Sequence, residues 1–481
     1  MFADKAVGRS FGLGGRSAED AKSQRAQRAF FLRTAAFIAP LRSLRLIPTV
    51  LLLVAMAWAV PAAATPKIEH WTLANGARVY FVPSRELPMV SVHAVFDAGS
   101  ARDPVDRNGL AMMVNAMLNE GSGELDADAI AATFEGLGAE FSANNDRDMA
   151  GVSLRSLSEP RLLEPALDLL ARLVREPSFP AAAFERERER ALLALKQASQ
   201  SPGDVASKAF FAQLYGRHPY ALPAEGSEAG LKAITRDELM RFHAQYYVGK
   251  NAVLAIVGDL SRGEAKKLAE RVLGRLPAGA AAQPLPRVED LVPHQSRAER
   301  VIVHPSTQSH ILLGEAGMSR NDPDYFPLLV GNYVLGGGGF VSRLTKAVRD
   351  ERGLSYSVYS YFYPLREPGP FIVGLQTKNS QRREALAVTR RVLSEYLEQG
   401  PTDAELIAAK KNLTGGFPLR IDSNRKIAEY LTVIGFYNLP LNYLEEFIPR
   451  VEAVTAGEIR DAFRRRIHPP HLVTVIVGGG D

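Results

Sequence analysis

The sequence predicts an α+β protein of two homologous lobes, each a mostly antiparallel sheet packed with helices. Three observations carry this. The chain repeats itself: Asp237-Glu238-Leu239 with the run Asn251 to Gly258 is echoed by Gly457-Glu458-Ile459 with the run His471 to Gly478, at a constant offset of 220. Ala98-Gly99 and Asp103-Pro104 recur as Ala316-Gly317 and Asp322-Pro323, at offsets of 218 and 219. Two matches in the same order argue for duplicated lobes. Within each copy, two-residue and helical periodicities alternate. Between the copies, Pro277–Arg300 is rich in Ala, Pro and Gln and has no period, as expected of a linker. Two lobes so joined would make a clamshell.

The first element is a leader. The chain has 481 residues, a net charge of +5 and a pI near 9.2. Residues 1–45 hold 9 Lys/Arg and 3 Asp/Glu, which leaves 49 basic against 50 acidic residues in the rest. The basic excess therefore belongs to the leader, and no polyanion partner is implied. Arg42 and Arg45 precede the apolar run Leu46–Val60, followed by Pro61 and Ala62-Ala63-Ala64. This is the pattern of an export signal cleaved before Thr65. The run is shorter than the roughly 20 residues a membrane helix needs, so residues 1–64 are assigned as a leader with signal peptide and no stable span after cleavage. Such a leader implies a periplasmic or secreted protein. The residues ahead of the signal suit a start codon assigned too early. A mitochondrial transit peptide fits less well, since Asp4, Glu19 and Asp20 interrupt it. With no cysteine, a lipidated N-terminal Cys and a disulfide framework are both excluded.

The N-terminal lobe, residues 65–276, contains strand-like stretches at 77–82, 90–96 and 152–157. Helices are predicted at Glu164–Arg175 and Phe184–Gln200, the second stopped by Ser201-Pro202-Gly203. After the linker, assigned to 277–300, the C-terminal lobe at 301–481 has a strand at His310–Gly314. Helical patterns follow at Arg382–Gln399 and Asp403–Leu413.

Three separated landmarks resemble the pitrilysin/insulinase family of inverted-zincin metallopeptidases. One is the frame Gly109–Leu118. A second is His218-Pro219-Tyr220 with Gly226. The most specific is Leu335-Gly336-Gly337-Gly338-Gly339-Phe340-Val341-Ser342-Arg343-Leu344, continuing through Arg349-Asp350-Glu351-Arg352-Gly353-Leu354-Ser355-Tyr356-Ser357-Val358. The resemblance covers roughly residues 66–480. It implies half of a clamshell, since bacterial members work as two half-length chains. In the family, His-x-x-Glu-His on a helix holds zinc and activates water. Here Met112, Asn115 and Ala116 occupy those positions, and a thioether, an amide and a methyl cannot replace two imidazoles and a base. The family's third ligand, a Glu, would fall near Leu192-Leu193-Ala194, where there is no carboxylate. Glu185, Glu187 and Glu189 alternate with arginines and read as a solvated helix face. The expectation is no metal and no cofactor bound by this chain, with zinc in a partner subunit.

The resemblance also implies what remains. An Arg and a Tyr seven residues apart reach across to the zinc site in the family, binding the scissile carbonyl and its oxyanion; Arg349 and Tyr356 have that spacing. Read alone, Arg349 is an ordinary surface cation and Tyr356 a half-buried strand aromatic; within the matching block they are the expected catalytic donors. Gly353 should end the helix carrying Arg349 and put Tyr356 on the next strand. Gly336, Gly337, Gly338, Gly339 and Phe340 match a loop that handles substrate in the family, where bare backbone admits an extended peptide; a flexible helix start with no ligand fits them equally well. No Lys follows in P-loop register, so a nucleotide site is not expected. His218 reads as structural. His468-Pro469-Pro470-His471 cannot be a helical pair because of Pro470, and the remaining histidines rebuild no site.

Two functions follow. The first is a zinc-lacking subunit of a heterodimeric endopeptidase, lending Arg349 and Tyr356 in trans to a homologous zinc-bearing partner that acts on extended peptides. The second is a non-enzymatic peptide-binding or assembly module. The intact Arg/Tyr spacing favours the first, because binding alone does not need it.

Overall fold

The computed structural model describes residues 66–291 and 299–479, so the leader readings lie outside the described residues. In the N-lobe, β1 (Glu69–Thr72), β2 (Arg78–Pro83) and β3 (Met89–Phe96) come first. A short hairpin of β4 (Gly121–Ser122) and β5 (Leu125–Asp126) precedes β6 (Glu140–Asn145), β7 (Ala150–Leu157) and β8 (Ala252–Gly258). The sheet order is β1-β2-β8-β3-β7-β6, antiparallel except for the β2–β8 pair. The continuous apolar run of β8 fits its place, because a central strand covered on both faces needs no alternation. All seven of its residues are buried.

The C-lobe contains β9 (Glu299–Val303), β10 (Gln308–Met318), β11 (Ser357–Phe362), β12 (Gly369–Lys378) and β13 (Val473–Gly478). Their order is β11-β12-β10-β13-β9, again antiparallel except for β9–β13. Without β1, the N-lobe sheet has the same five-strand order and the same single parallel pair. The duplication read from the sequence is therefore a duplication of topology. It extends to local detail: Thr235 and Glu238 form a capping box at the start of Arg236–Tyr246, and Thr455 and Glu458 repeat it at Ala456–Arg466.

The predicted helices are present as Pro160–Arg175, Ala181–Ala198, Arg382–Gln399 and Asp403–Gly416. Two further helices are exchanged between the lobes. Pro202–Tyr215 packs on β10 and β13 of the C-lobe, and Asn424–Phe436 packs on β3 and β8 of the N-lobe. One apolar cluster consequently contains Tyr80, Val253 and Ala255 together with Ile311, Leu431 and Phe436. The approach is close enough to require glycine at 435, where a Cβ would come within 2.6 Å of Tyr80 and Val253 side-chain atoms.

Polar contacts reinforce the exchange. Arg78 donates to the Gly435 carbonyl at 2.9 Å. Asp148, in the β6–β7 turn, is buried and accepts from Tyr220 Oη (2.6 Å), Tyr437 Oη (2.9 Å) and the Arg366 backbone N–H (2.7 Å). Burial holds its carboxyl above the ordinary range against the pull of these donors. The segment after Pro277 has no regular structure until Val288–Leu291, but it is held down. Gly249 N–H donates to the Pro277 carbonyl at 2.8 Å, and Ala282 N–H to Asn251 Oδ1 at 2.7 Å.

Candidate functional site

The degenerate motif lies on a short helix, Leu110–Ala116, whose Leu110, Ala111, Met113 and Val114 are buried in the N-lobe core. Asp103 caps it, accepting from the backbone N–H groups of Gly109 (2.7 Å) and Ala111 (2.8 Å). Burial outweighs these donors and pushes the Asp103 carboxyl up to about 7. Gly109 adopts φ +109°, and Gly226 crosses it so closely that a Cβ there would lie 2.9 Å from the Gly109 Cα. The second landmark thus closes on the start of the first.

Met112 and Ala116 are half-buried, one turn apart on the same face of the helix. Asn115 is buried and donates to the Gly151 carbonyl of β7 at 3.0 Å; its amide nitrogen lies 3.5 Å from Tyr247 Oη. Asn115 is therefore a tie between helix and sheet. The three side chains do not fit a zinc ion: one weak sulfur acceptor, one methyl and one engaged amide provide no ligand set. In the window for a third ligand, Leu192 packs at the margin of the same core and Leu193 and Ala194 are exposed. One reading of this helix needs correction. Glu185 and Glu189 are exposed, but Glu187 is buried beside Ala183 and Phe184 and pairs with Arg190 at 3.1 Å.

The C-lobe donors are differently placed. Helix Tyr325–Asn332 runs on through a π-helical turn, Tyr333–Gly337, and Gly339–Val341 forms a 3-10 turn. Asn332 anchors this turn to β11: its amide donates to the Ser360 carbonyl (3.0 Å), and its Oδ1 accepts from the Ser360 hydroxyl (2.7 Å). Gly336 is buried against Ser360, where a Cβ would come within 2.5 Å of Oγ and N, so its role is packing. Gly337, Gly339 and Phe340 are exposed and Gly338 is half-buried.

Arg349 lies in a second π-helical segment, Thr345–Asp350. Gly353 (φ +60°) follows, its N–H donating to the Arg349 carbonyl at 2.8 Å. Tyr356 occupies the bend just before β11, rather than the strand itself. The Arg349 guanidinium is held between two rings, 4.7 Å from the Phe340 centroid and 5.2 Å from that of Tyr356. Cation–π contact with two rings restrains the guanidinium without consuming its N–H donors. Among the described residues the Arg349 side chain has no ion pair or hydrogen bond. Tyr356 is 86% exposed and Phe340 76%.

The histidines divide in two. His218 is buried and structural: Nδ1 accepts from Tyr220 N–H (3.1 Å), and Nε2 donates to the Pro286 carbonyl (2.9 Å), tying the interlobe segment down. His468 and His471 are brought together with Glu315 of β10 by the fold. The spacing of the histidines was visible; their carboxylate partner, 153 residues from His468, was not.

Residues 79–228 match the insulinase (peptidase family M16) domain, and residues 233–413 match the peptidase M16 inactive domain. A crystal structure described as a peptidase M16 inactive domain, from Pseudomonas fluorescens, is 40% identical. It superposes with a TM-score of 0.83, covering 86% of this chain and 98% of that one. The chain belongs to the M16 peptidase family. M16 relatives include "Non-peptidase homolog YmxG" of Helicobacter pylori, 29% identical over 83% of this chain and 91% of that protein. "Uncharacterized zinc protease YmxG" of Bacillus subtilis is 24% identical over 86% and 99% respectively. The fold is also shared with a Helicobacter pylori protease structure at 21% identity and a TM-score of 0.78.

In this M16 chain Arg343 anchors the glycine-rich segment. It makes a bidentate pair with Glu405 (2.8 and 2.7 Å) and donates to the Gly400 carbonyl at 3.0 Å. Burial alone would raise the Glu405 pKa. The Arg343 guanidinium and the Thr402 donors override it and bring the carboxyl down to about 2. Because the folded pKa is depressed, its stabilisation is present above pH 4.5, the ordinary value, and is lost as pH falls toward 2. Allowing for solvent screening, Arg343→Leu should cost about 1–2 kcal/mol at pH 7. The gap from wild type should narrow between those two pH values in urea titrations; a constant gap would count against the pair.

Proposed function

We propose that this chain is the subunit without the catalytic zinc site in a heterodimeric M16 endopeptidase and lends Arg349 and Tyr356 in trans to a homologue that carries that zinc. The observation that carries this reading is the contrast between the two lobes. The metal positions have become packing residues, while Tyr356 is exposed, Arg349 is half-buried against two rings, and neither side chain has a hydrogen bond or ion pair among the described residues. In the complex the partner would supply zinc. Arg349 would direct its N–H donors at the scissile carbonyl oxygen, and the Tyr356 hydroxyl would add a second donor to the charge that develops there. Exposed Gly337, Gly339 and Phe340 would border the bound extended peptide.

A second reading, a peptide-binding or assembly module without hydrolysis, draws on the "non-peptidase" description of the Helicobacter pylori relative. One experiment separates them: peptide hydrolysis by this chain, by a co-expressed zinc-bearing homologue, and by the mixture. Activity confined to the mixture supports the split site. A mixture no faster than the homologue alone leaves the binding module. The same subunit is proposed to be exported, with no membrane span after cleavage. Among the described residues no helix is long and apolar enough to cross a membrane. N-terminal sequencing of the exported protein should begin at or near Thr65; an intact leader would refute cleavage.

A further inference from the structure

We propose that Glu315, His468 and His471 form a binding site for a divalent transition-metal ion, zinc foremost, in the C-lobe and separate from the degenerate helix. One donor atom from each lies within 4.8 Å of the others. Tetrahedral zinc with ligands at 2.0–2.2 Å sets donors about 3.4 Å apart, so modest side-chain rotation closes the set. Two imidazoles and one carboxylate are a borderline donor set that selects zinc, cobalt or iron over calcium or magnesium.

The connection before β13 builds the pair. Pro469 opens a 3-10 turn over Pro469–His471, so the Pro470 that excludes an α-helix instead folds the chain back between the two imidazoles. Their ring centroids are 5.6 Å apart. Beneath them is the Glu315 carboxylate, on the central strand β10 and only 9% exposed. It accepts from the His468 backbone N–H, and the His468 Nδ1 lies 3.2 Å away.

The internal duplication shows what is unusual here. The N-lobe counterpart of Glu315, at the 218-residue offset, is Asp97, which pairs with Arg102 at 2.7 Å and Arg366 at 3.2 Å. Glu315 has no Arg or Lys ion pair among the described residues; its ion-pair partner is His468. A buried carboxylate without a fixed cation is costly. A divalent ion would supply that charge. The His468 side chain is 45% exposed, so solvent reaches the site and water can complete the coordination. The ion would fasten β10 to the connection ahead of β13, within the lobe that carries Arg349 and Tyr356.

The test uses the tag-free chain, stripped with EDTA and titrated with ZnCl2 by calorimetry and with CoCl2 by visible absorption. One ion per chain is expected, with Co²⁺ giving d–d bands of nitrogen/oxygen coordination. His471→Ala should weaken binding by more than about tenfold, the least expected when a direct ligand is lost. Wild type but not the variant should gain thermal stability from zinc relative to its own unfolding temperature in EDTA. Glu315→Gln should weaken binding as well; if it fails to fold, His468→Ala replaces it. Absence of saturable uptake would overturn the site, as would uptake that both histidine variants leave intact. Because this chain is measured alone and hydrolysis is not read, failure here would leave the in-trans proposal standing.

Discussion

Replacing Arg349 with alanine should lower kcat of the proposed two-subunit peptidase on the order of 10²–10³-fold, the loss expected when one preorganised oxyanion donor is removed. Assembly and KM should change little, because the interaction strengthens only as charge develops. Tyr356→Phe is the sharper test. It keeps the aromatic face that holds the guanidinium, 5.2 Å from ring centroid to Cζ, and removes only a hydroxyl. A substantial kcat loss in Tyr356→Phe means the hydroxyl itself donates. If Tyr356→Phe is silent while Tyr356→Leu is impaired, Tyr356 is a positioning residue for Arg349. Unchanged turnover in both Arg349→Ala and Tyr356→Phe would remove the catalytic role and favour the binding module.

The legibility of the sequence follows how local each signal is. β8 could be read from its apolar run and β7 from its alternation, because period and burial are set within one segment. The repeat was legible because both copies kept the same helix, turn and apolar strand. The helix exchange was not: the pattern of Asn424–Phe436 says that one face is buried, and nothing in it says that β3 and β8 of the other lobe do the burying. Composition misled in two places. Gly336 and Gly337 belong to the run read as a loop or flexible helix start, yet with buried Val334 and Leu335 they carry the preceding helix on as a π-helical turn. The Glu/Arg alternation around Glu187 hides a helical period that turns this one acid inward. In the site, the presence of Met112, Asn115 and Ala116 at the three motif positions could be read directly. The Phe340–Arg349–Tyr356 cluster could not, because it gathers residues from a 3-10 turn, a π-helical segment and a bend.

Asp148→Ala should destabilise the protein by about 3–5 kcal/mol, the cost of leaving three buried donors without their common acceptor. The three donors come from distant parts of the chain. Tyr220 closes the loop after an exchanged helix, Tyr437 follows the other exchanged helix, and Arg366 lies between β11 and β12. Truncation leaves two tyrosine hydroxyls and one backbone N–H without their acceptor in a space that a methyl cannot fill. Each helix would keep its apolar contacts but lose the shared polar anchor that fixes how the lobes meet. Tyr437→Phe removes one donor and leaves the carboxylate two others, so it should cost only about 1–2 kcal/mol. Urea unfolding of the two variants and wild type tests the ordering. If Asp148→Ala costs no more than Tyr437→Phe, the carboxylate is not the hub, and the exchanged apolar faces with the remaining polar ties hold the lobes.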